Sequence, residues 1–248
     1  MTIAEHTVRL KQDFDDVYAA GKESQRLEWW RKYLNRGNAI SLAYAFAYNR
    51  WSDGTFDPPY NINASSCSNL FANSYIADLR GILTRNGVEL IFDDSKTSNN
   101  QFFNLFTYSR IEYAPYLKLP TTCSCYGWFT GCSYLIEVDG YECTEIHTFQ
   151  QSNGNSKTFQ GCTNLVKIIF HGTIANDINL QWSNNLSLES LVSLFSCLKN
   201  FIFDADNAFT KTVTLSAESW ALTETEEFMN VIGVHGRQHL ADIGWNWA

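Results

Sequence analysis

The amino-acid sequence predicts an α/β fold: a short, irregular solenoid with parallel strands, preceded by N-terminal helices and closed by a C-terminal α/β cap. Three observations predict it. The pattern F-x-G-C-x-x-L-x-x-[VI] occurs at residues 129–138 and again, in the same phase, at residues 159–168. A short apolar run follows each Phe anchor, and amphipathic helical stretches lie on both sides of the repeated region. A unit this short cannot bury its apolar side alone, so repetition implies stacking of each copy on the next.

The first expected element is a helix opening at Thr2-Ile3-Ala4-Glu5, a capping box in which the Thr2 hydroxyl and the Glu5 carboxylate each satisfy a backbone amide. Its apolar positions Ile3, Leu10 and Val17 recur every seven residues, with Phe14 offset, and Gly21 and Lys22 end it. Such a seam suits pairing between copies of the chain, and equally docking on its own domain. Ile3, Leu10, Phe14 and Val17 are therefore the candidate oligomerisation and attachment residues. A second helix over residues 27–34 carries Leu27, Trp30, Tyr33 and Leu34 on one face and stops at Asn35-Arg36-Gly37. The turn at Asp57-Pro58-Pro59-Tyr60 places a boundary there. The expected organisation is 1–60 helical, 61–183 repeats and 184–248 cap.

Looser copies of the repeat start at Phe71 and Phe106, with Ser74 and Ser109 in the Cys position, so the four anchors are 35, 23 and 30 residues apart. Phe and Leu at fixed phase should form ladders in the interior, each buried ring contributing about 1.5 to 3 kcal/mol. Cys, small and weakly polar, suits a tight interior corner. The runs from Leu135 to Val138 and from Leu165 to Phe170 should be strands pairing into a parallel sheet. In the cap, Ser187 should start a helix carrying Leu188, Leu191, Val192, Phe195 and Leu198. A strand from Lys211 to Leu215 follows. Thr223-Glu-Thr-Glu226 reads as a capping box opening a helix through Ile232, broken by Gly233 and Gly236.

The repeats resemble those of BspA-like leucine-rich-repeat proteins, a group found on bacterial surfaces and in bacteriophages of Gram-positive hosts. The layout is similar to its phage branch over nearly the full chain. The shared features are an N-terminal helix, a segment like Trp51 to Ile62, a few Phe-Cys-Leu repeats, a helix like Leu186 to Leu191, a Thr-Val-Thr-Leu strand, a Leu-Thr-Glu helix and a Gly244-Trp245 ending. The early Ser-bearing copies and the long segment from Gly233 to Ala241 depart from that pattern. The resemblance implies a leucine-rich-repeat-like solenoid in a non-catalytic virion protein, tail-associated or surface-exposed. It further implies other virion proteins and further copies of the chain as partners, with a host-surface glycan or protein as a third.

Composition agrees with such partners and argues against others. With 18 Lys plus Arg against 26 Asp plus Glu, a net charge of -8, the chain repels a phosphate backbone, so nucleic acid is not an expected partner. No apolar run approaches the roughly 20 residues that span a bilayer, so membrane insertion is not expected. The first twenty residues interleave charges rather than forming a signal peptide, which fits assembly in the host cytoplasm and release by lysis. The seven cysteines are an odd number, which argues against a secreted disulfide framework.

No cofactor or metal is expected. Cys123, Cys125, Cys132 and Cys143 fall close together, but their spacing fits no familiar zinc ribbon. His235 and His239 have helical metal-pair spacing without the Glu of a zinc protease. Asp204-Ala-Asp206-Asn207 lacks the Gly and Glu of a calcium loop, having Phe209 and Leu215 at those places. Asp93-Asp94 lacks the apolar setting that tunes a catalytic acid. A bacterial interaction module or adhesin on the same solenoid, and a tail enzyme cutting glycan or cell wall, are the alternatives. The candidate surface-binding residues are Trp128, Tyr134, Tyr141 and Trp182, aromatics beside the anchors, for which burial between coils competes with ligand contact.

Overall fold

A computed structural model of the chain describes residues 61–62, 69, 71–74, 90–92, 103–118, 126–145, 148–149 and 158–248. The expected N-terminal helices, with Ile3, Leu10, Phe14 and Val17, lie outside the described residues, as do Cys67, Cys123, Cys125 and Asp93-Asp94. What is described is α/β, with helices and two parallel sheets.

The first sheet contains β1 (Asn61–Ile62), β2 (Leu90–Phe92), β3 (Tyr113–Lys118), β4 (Glu137–Cys143) and β5 (Lys167–Gly172), neighbours in sequence being neighbours in space. Its register aligns equivalent positions of the repeat: Ala114 opposes Val138, and Val138 opposes Ile168. All three are buried, so the inward rows are apolar and the outward rows, such as Tyr113, Glu137 and Lys167, are not.

Before β2, β3, β4 and β5 the chain makes the same turn, and the anchors of these four turns stack. Phe71 lies 5.4 Å from Phe106 at 7°, Phe106 5.2 Å from Phe129 at 8°, and Phe129 6.0 Å from Phe159 at 17°. Backbone bonds tie the turns together: Phe71 N donates to Leu105 O, Phe106 N to Trp128 O, and Phe129 N to Thr158 O, at 2.8–3.0 Å. Left-handed backbone flanks the anchors, at Asn69 and Asn73, Asn104 and Tyr108, and Gly127 and Gly131. Gly131 at φ 72° and Gly161 at φ 79° take this conformation without the Cβ clash, which explains the glycine of the two best copies. Asn, the next most tolerant residue, serves three of the four earlier positions, and Tyr108 the fourth.

The cysteine of the repeat does more than fill a corner. Cys132 Sγ donates to Phe106 O at 2.9 Å and Cys162 Sγ to Phe129 O at 3.2 Å, each thiol reaching the anchor carbonyl of the preceding turn. Burial pushes the Cys132 thiol up to about 12 and that of Cys162 well above its usual value, so both are protonated donors at neutral pH.

A fifth turn appears where none is expected. Leu180, Ser183 and Leu186 occupy the Phe, Cys and Leu positions: Ser183 N donates to Leu180 O at 2.9 Å, as Cys132 N does to Phe129 O at 3.0 Å. Ser187 N then donates to Val166 O, continuing the row in which Val166 N donates to Ile136 O and Ile136 N to Glu112 O.

After this turn a helix replaces the next strand. Helix α1 (Leu188–Cys197) starts at Ser187, whose hydroxyl accepts from Ser190 N, as the sequence predicts. Its Ser190 and Ser193 hydroxyls accept from Ile168 N at 3.0 Å and Phe170 N at 3.1 Å, outward-pointing amides of the edge strand β5. The helix thereby satisfies the donors that another strand would pair with, and closes this edge against further pairing.

The second sheet holds β6 (Ile178–Leu180), β7 (Thr212–Leu215) and β8 (Asn246–Trp247), all parallel. Of the remaining helices, α4 (Gly236–Asp242) packs on β8, while α2 (Ala217–Thr223) and α3 (Glu226–Ile232) pack on α1 and on α4. The capping box expected at Thr223 is corrected here. Thr223 is the buried end of α2, and Thr225 caps α3 by accepting from Phe228 N. Gly233 ends α3 at φ 95° as expected, but Gly236 begins α4 instead of breaking a helix. One contiguous core joins both sheets, from Phe71 through Phe129 and Phe159 to Phe195, Phe228 and Trp245.

Candidate binding surface

Two of the four aromatics expected at the surface are interior, which corrects that reading. Trp128 and Tyr141 are fully buried. The Trp128 ring meets Phe106 and Tyr141 edge-on at 6.4 and 6.1 Å, and Tyr141 packs on Phe159 at 5.7 Å. Trp128 packs against Phe106 of the preceding turn, and the register shift between Val138 and Tyr141 sets Tyr141 opposite Phe170 among the inward rings. Trp182, in the fifth turn, is half-buried. Tyr134 is 48% exposed, and the Arg110 guanidinium lies 5.7 Å from its ring centre.

Tyr108, absent from the sequence-level candidates, is 61% exposed at the same turn edge. Its φ of 56° is uncommon for a side chain of this size and costs about 1 kcal/mol. The ring rests on Gly131 of the next turn, where a Cβ would collide with ring carbons. Asn73, Gly131 and Gly161 take the same left-handed conformation two residues after their anchors, so the turn requires it at Tyr108.

The outward face of the first sheet carries a second group. Tyr116 lies across Gly140, again where a Cβ would meet its ring, and donates its hydroxyl to Glu142 Oε2 at 2.9 Å. The His171 ring lies 5.1 Å from that of Tyr116, and Glu142 and His171 are register partners. A register shift between Val138 and Tyr141 gives β4 the bulge that presents Gly140 beneath the tyrosine. Further along the face, Lys167 lies 3.7 Å from Glu137 and 3.5 Å from Glu189.

Among the described residues, no group of three or more His, Cys, Asp or Glu is placed to hold a metal ion. Cys132 and Cys143 are buried in the core. His235 lies 3.9 Å from Glu224, whereas His239 turns inward to the Phe195 ring at 5.8 Å. Partial burial lowers the His239 pKa. Asp204 closes its own turn, its Oδ1 accepting from Asp206 N and its Oδ2 from the Asn207 side chain. No described helix is long and apolar enough to cross a membrane.

In comparisons with known proteins, no family model, no curated protein and no solved structure matches the chain.

Proposed function

We propose that the chain is a non-catalytic virion structural protein of a bacteriophage, tail-associated or surface-exposed, built as a BspA-like, leucine-rich-repeat-like solenoid. It contributes to assembly or host-surface binding through its repeat surface. The observation that carries the reading is the four-ring stack of Phe71, Phe106, Phe129 and Phe159, with backbone bonds between successive turns beside it. A ladder of this kind is what stacked coils of a repeat protein require. The exposed Tyr108 and Tyr134, held on the turn edge, support a surface role. The repeat thiols Cys132 and Cys162 work as buried hydrogen-bond donors, which favours a structural over a nucleophilic use. Its partners are other virion proteins and further copies of itself, with a host glycan or protein at the repeat surface.

Mass spectrometry of purified particles, combined with light scattering of the isolated chain, tests this. The chain is expected among the particle proteins and to self-associate in solution. Its absence from every particle preparation would overturn the virion assignment. The exposed tyrosines favour a second reading equally, a free bacterial interaction module or adhesin, which predicts a stable monomer that never enters particles.

A further inference from the structure

The group on the outward face of the first sheet has a chemistry of its own. Tyr116, Glu142 and His171 come from three successive strands, Tyr116 and Glu142 being separated by 26 positions, so only the parallel register brings them together. Tyr116 does not stand up from the sheet. Gly140 leaves the space beneath it, and the bond from its hydroxyl to Glu142 holds the ring across the strands. A ring fixed in this way offers a plane rather than a knob, and an aromatic plane attracts polarised C–H groups through the negative charge of its face. Beside that plane stand a carboxylate that accepts hydrogen bonds and an imidazole that both donates and accepts them.

A flat aromatic surface flanked by a carboxylate and an imidazole matches a pyranose, which has an apolar C–H face and a rim of hydroxyls. The charge of the surroundings chooses among sugars. Glu137, exposed Asp139 and Glu142 all lie on β4, and Lys167 is engaged by Glu137 and Glu189. Phosphate-bearing, sulfated or uronic polymers would meet these carboxylates and a chain of net charge -8. A neutral ring meets no such penalty. A protein hot spot would instead be an anchor reaching into a partner's pocket.

We propose that Tyr116, Glu142 and His171 form a binding subsite for a neutral sugar ring of a surface glycan. The proposal rests on the reading of the repeat surface as a recognition surface and names its ligand class.

Calorimetric titration of the full chain tests the proposal, with neutral oligosaccharides of glucose and of N-acetylglucosamine as one set of probes and poly(glycerol phosphate) as the other. Saturable binding of a neutral probe is expected, weakened about tenfold or more by Tyr116→Ala. Glu142→Gln should weaken it about tenfold through loss of a charge-assisted hydrogen bond. Tyr116→Phe, which keeps the ring but loses the bond that fixes it, should fall between the parent and Tyr116→Ala. A single cooperative urea transition with an unchanged slope in each of the three variants shows that the fold survives. Binding of the polyanion alone, binding indifferent to Tyr116→Ala, or no binding of either probe set would each overturn the subsite. Any of those results leaves the virion reading to stand or fall on particle composition.

Discussion

The seal that α1 places on β5 can be broken with two hydroxyl deletions, Ser190→Ala and Ser193→Ala together. In the folded protein the two hydroxyls are the acceptors for Ile168 N and Phe170 N. Ser190 and the Ile168 side chain are almost wholly shielded from water. Leaving a buried amide without an acceptor costs about 1 to 3 kcal/mol, so two of them cost about 2 to 6 kcal/mol. Alanine is the better helix former, and two Ser→Ala changes return about 1 kcal/mol. The net expectation is a loss of about 3 kcal/mol. Ser196→Ala is the control: Ser196 lies exposed on the same helix and should gain about 0.5 kcal/mol. Urea unfolding reads the difference as a fall in midpoint for the double variant and a small rise for the control. Light scattering should also show that the double variant forms larger species than the parent, because the opened strand edge is a template for pairing. A double variant as stable as the parent, or more stable, would refute the seal, since it would show that these hydroxyls carry only ordinary helix propensity.

Three further outcomes are expected. Phe129→Ala removes a ring with stacked partners on both sides and should cost about 4 kcal/mol, whereas Phe203→Ala, 97% exposed, should cost under about 0.5 kcal/mol in the same urea assay. Native alkylation at about pH 8, read peptide by peptide, should spare Cys132, Cys143 and Cys162, whose thiols burial holds far above their usual values, and label all three after denaturation. His239 titrates below its ordinary value because partial burial disfavours its charged form, so as pH falls through about 6.5 the unfolded chain takes up the proton first. Stability attached to this group is therefore complete above about pH 6.5 and declines below it, and His239→Asn should lose less urea midpoint than the parent between about pH 7.5 and pH 5.5.

The two best repeats carried most of what could be read from the sequence. Phe, Cys and Leu at constant phase told both that the turns stack and which side chains face inward, because a ladder demands the same residue type at the same place. The earlier turns were harder to read, since their left-handed positions are Asn69, Asn73, Asn104 and Tyr108 rather than glycine. They were legible only as looser copies at Phe71 and Phe106, and the Asn two residues before each Phe, Asn69 and Asn104, is a further mark they share. The fifth turn was missed because Leu180 replaces the aromatic and Ser183 the cysteine, although the spacing Leu-x-x-Ser-x-x-Leu is unchanged. The Leu-Ser-x-Glu-Ser string at residues 186–190, read as the start of α1, recurs at residues 215–219, where it was not read and starts α2; Ser187 and Ser216 are the caps.

The binding surface was less legible, for a physical reason. Exposure of an aromatic depends on what the neighbouring turn lays over it, which is a property of the stack and not of the local string. Trp128 is covered by such a neighbour, whereas Tyr134 is not. Tyr116 acquires its place from Gly140 and Glu142 on another strand, and Tyr108 from Gly131 in another turn. Only the register between units relates these residues.

A double-mutant cycle on Phe106 and Phe129 asks most directly whether the repeat interior is a stacked ladder. Phe106→Leu, Phe129→Leu and the double variant are compared by urea unfolding. Rings 5.2 Å apart and nearly parallel should show a coupling of about 0.5 to 1.5 kcal/mol. Additivity within about 0.3 kcal/mol would mean that the two rings do not touch, and the stacked interior would be contradicted.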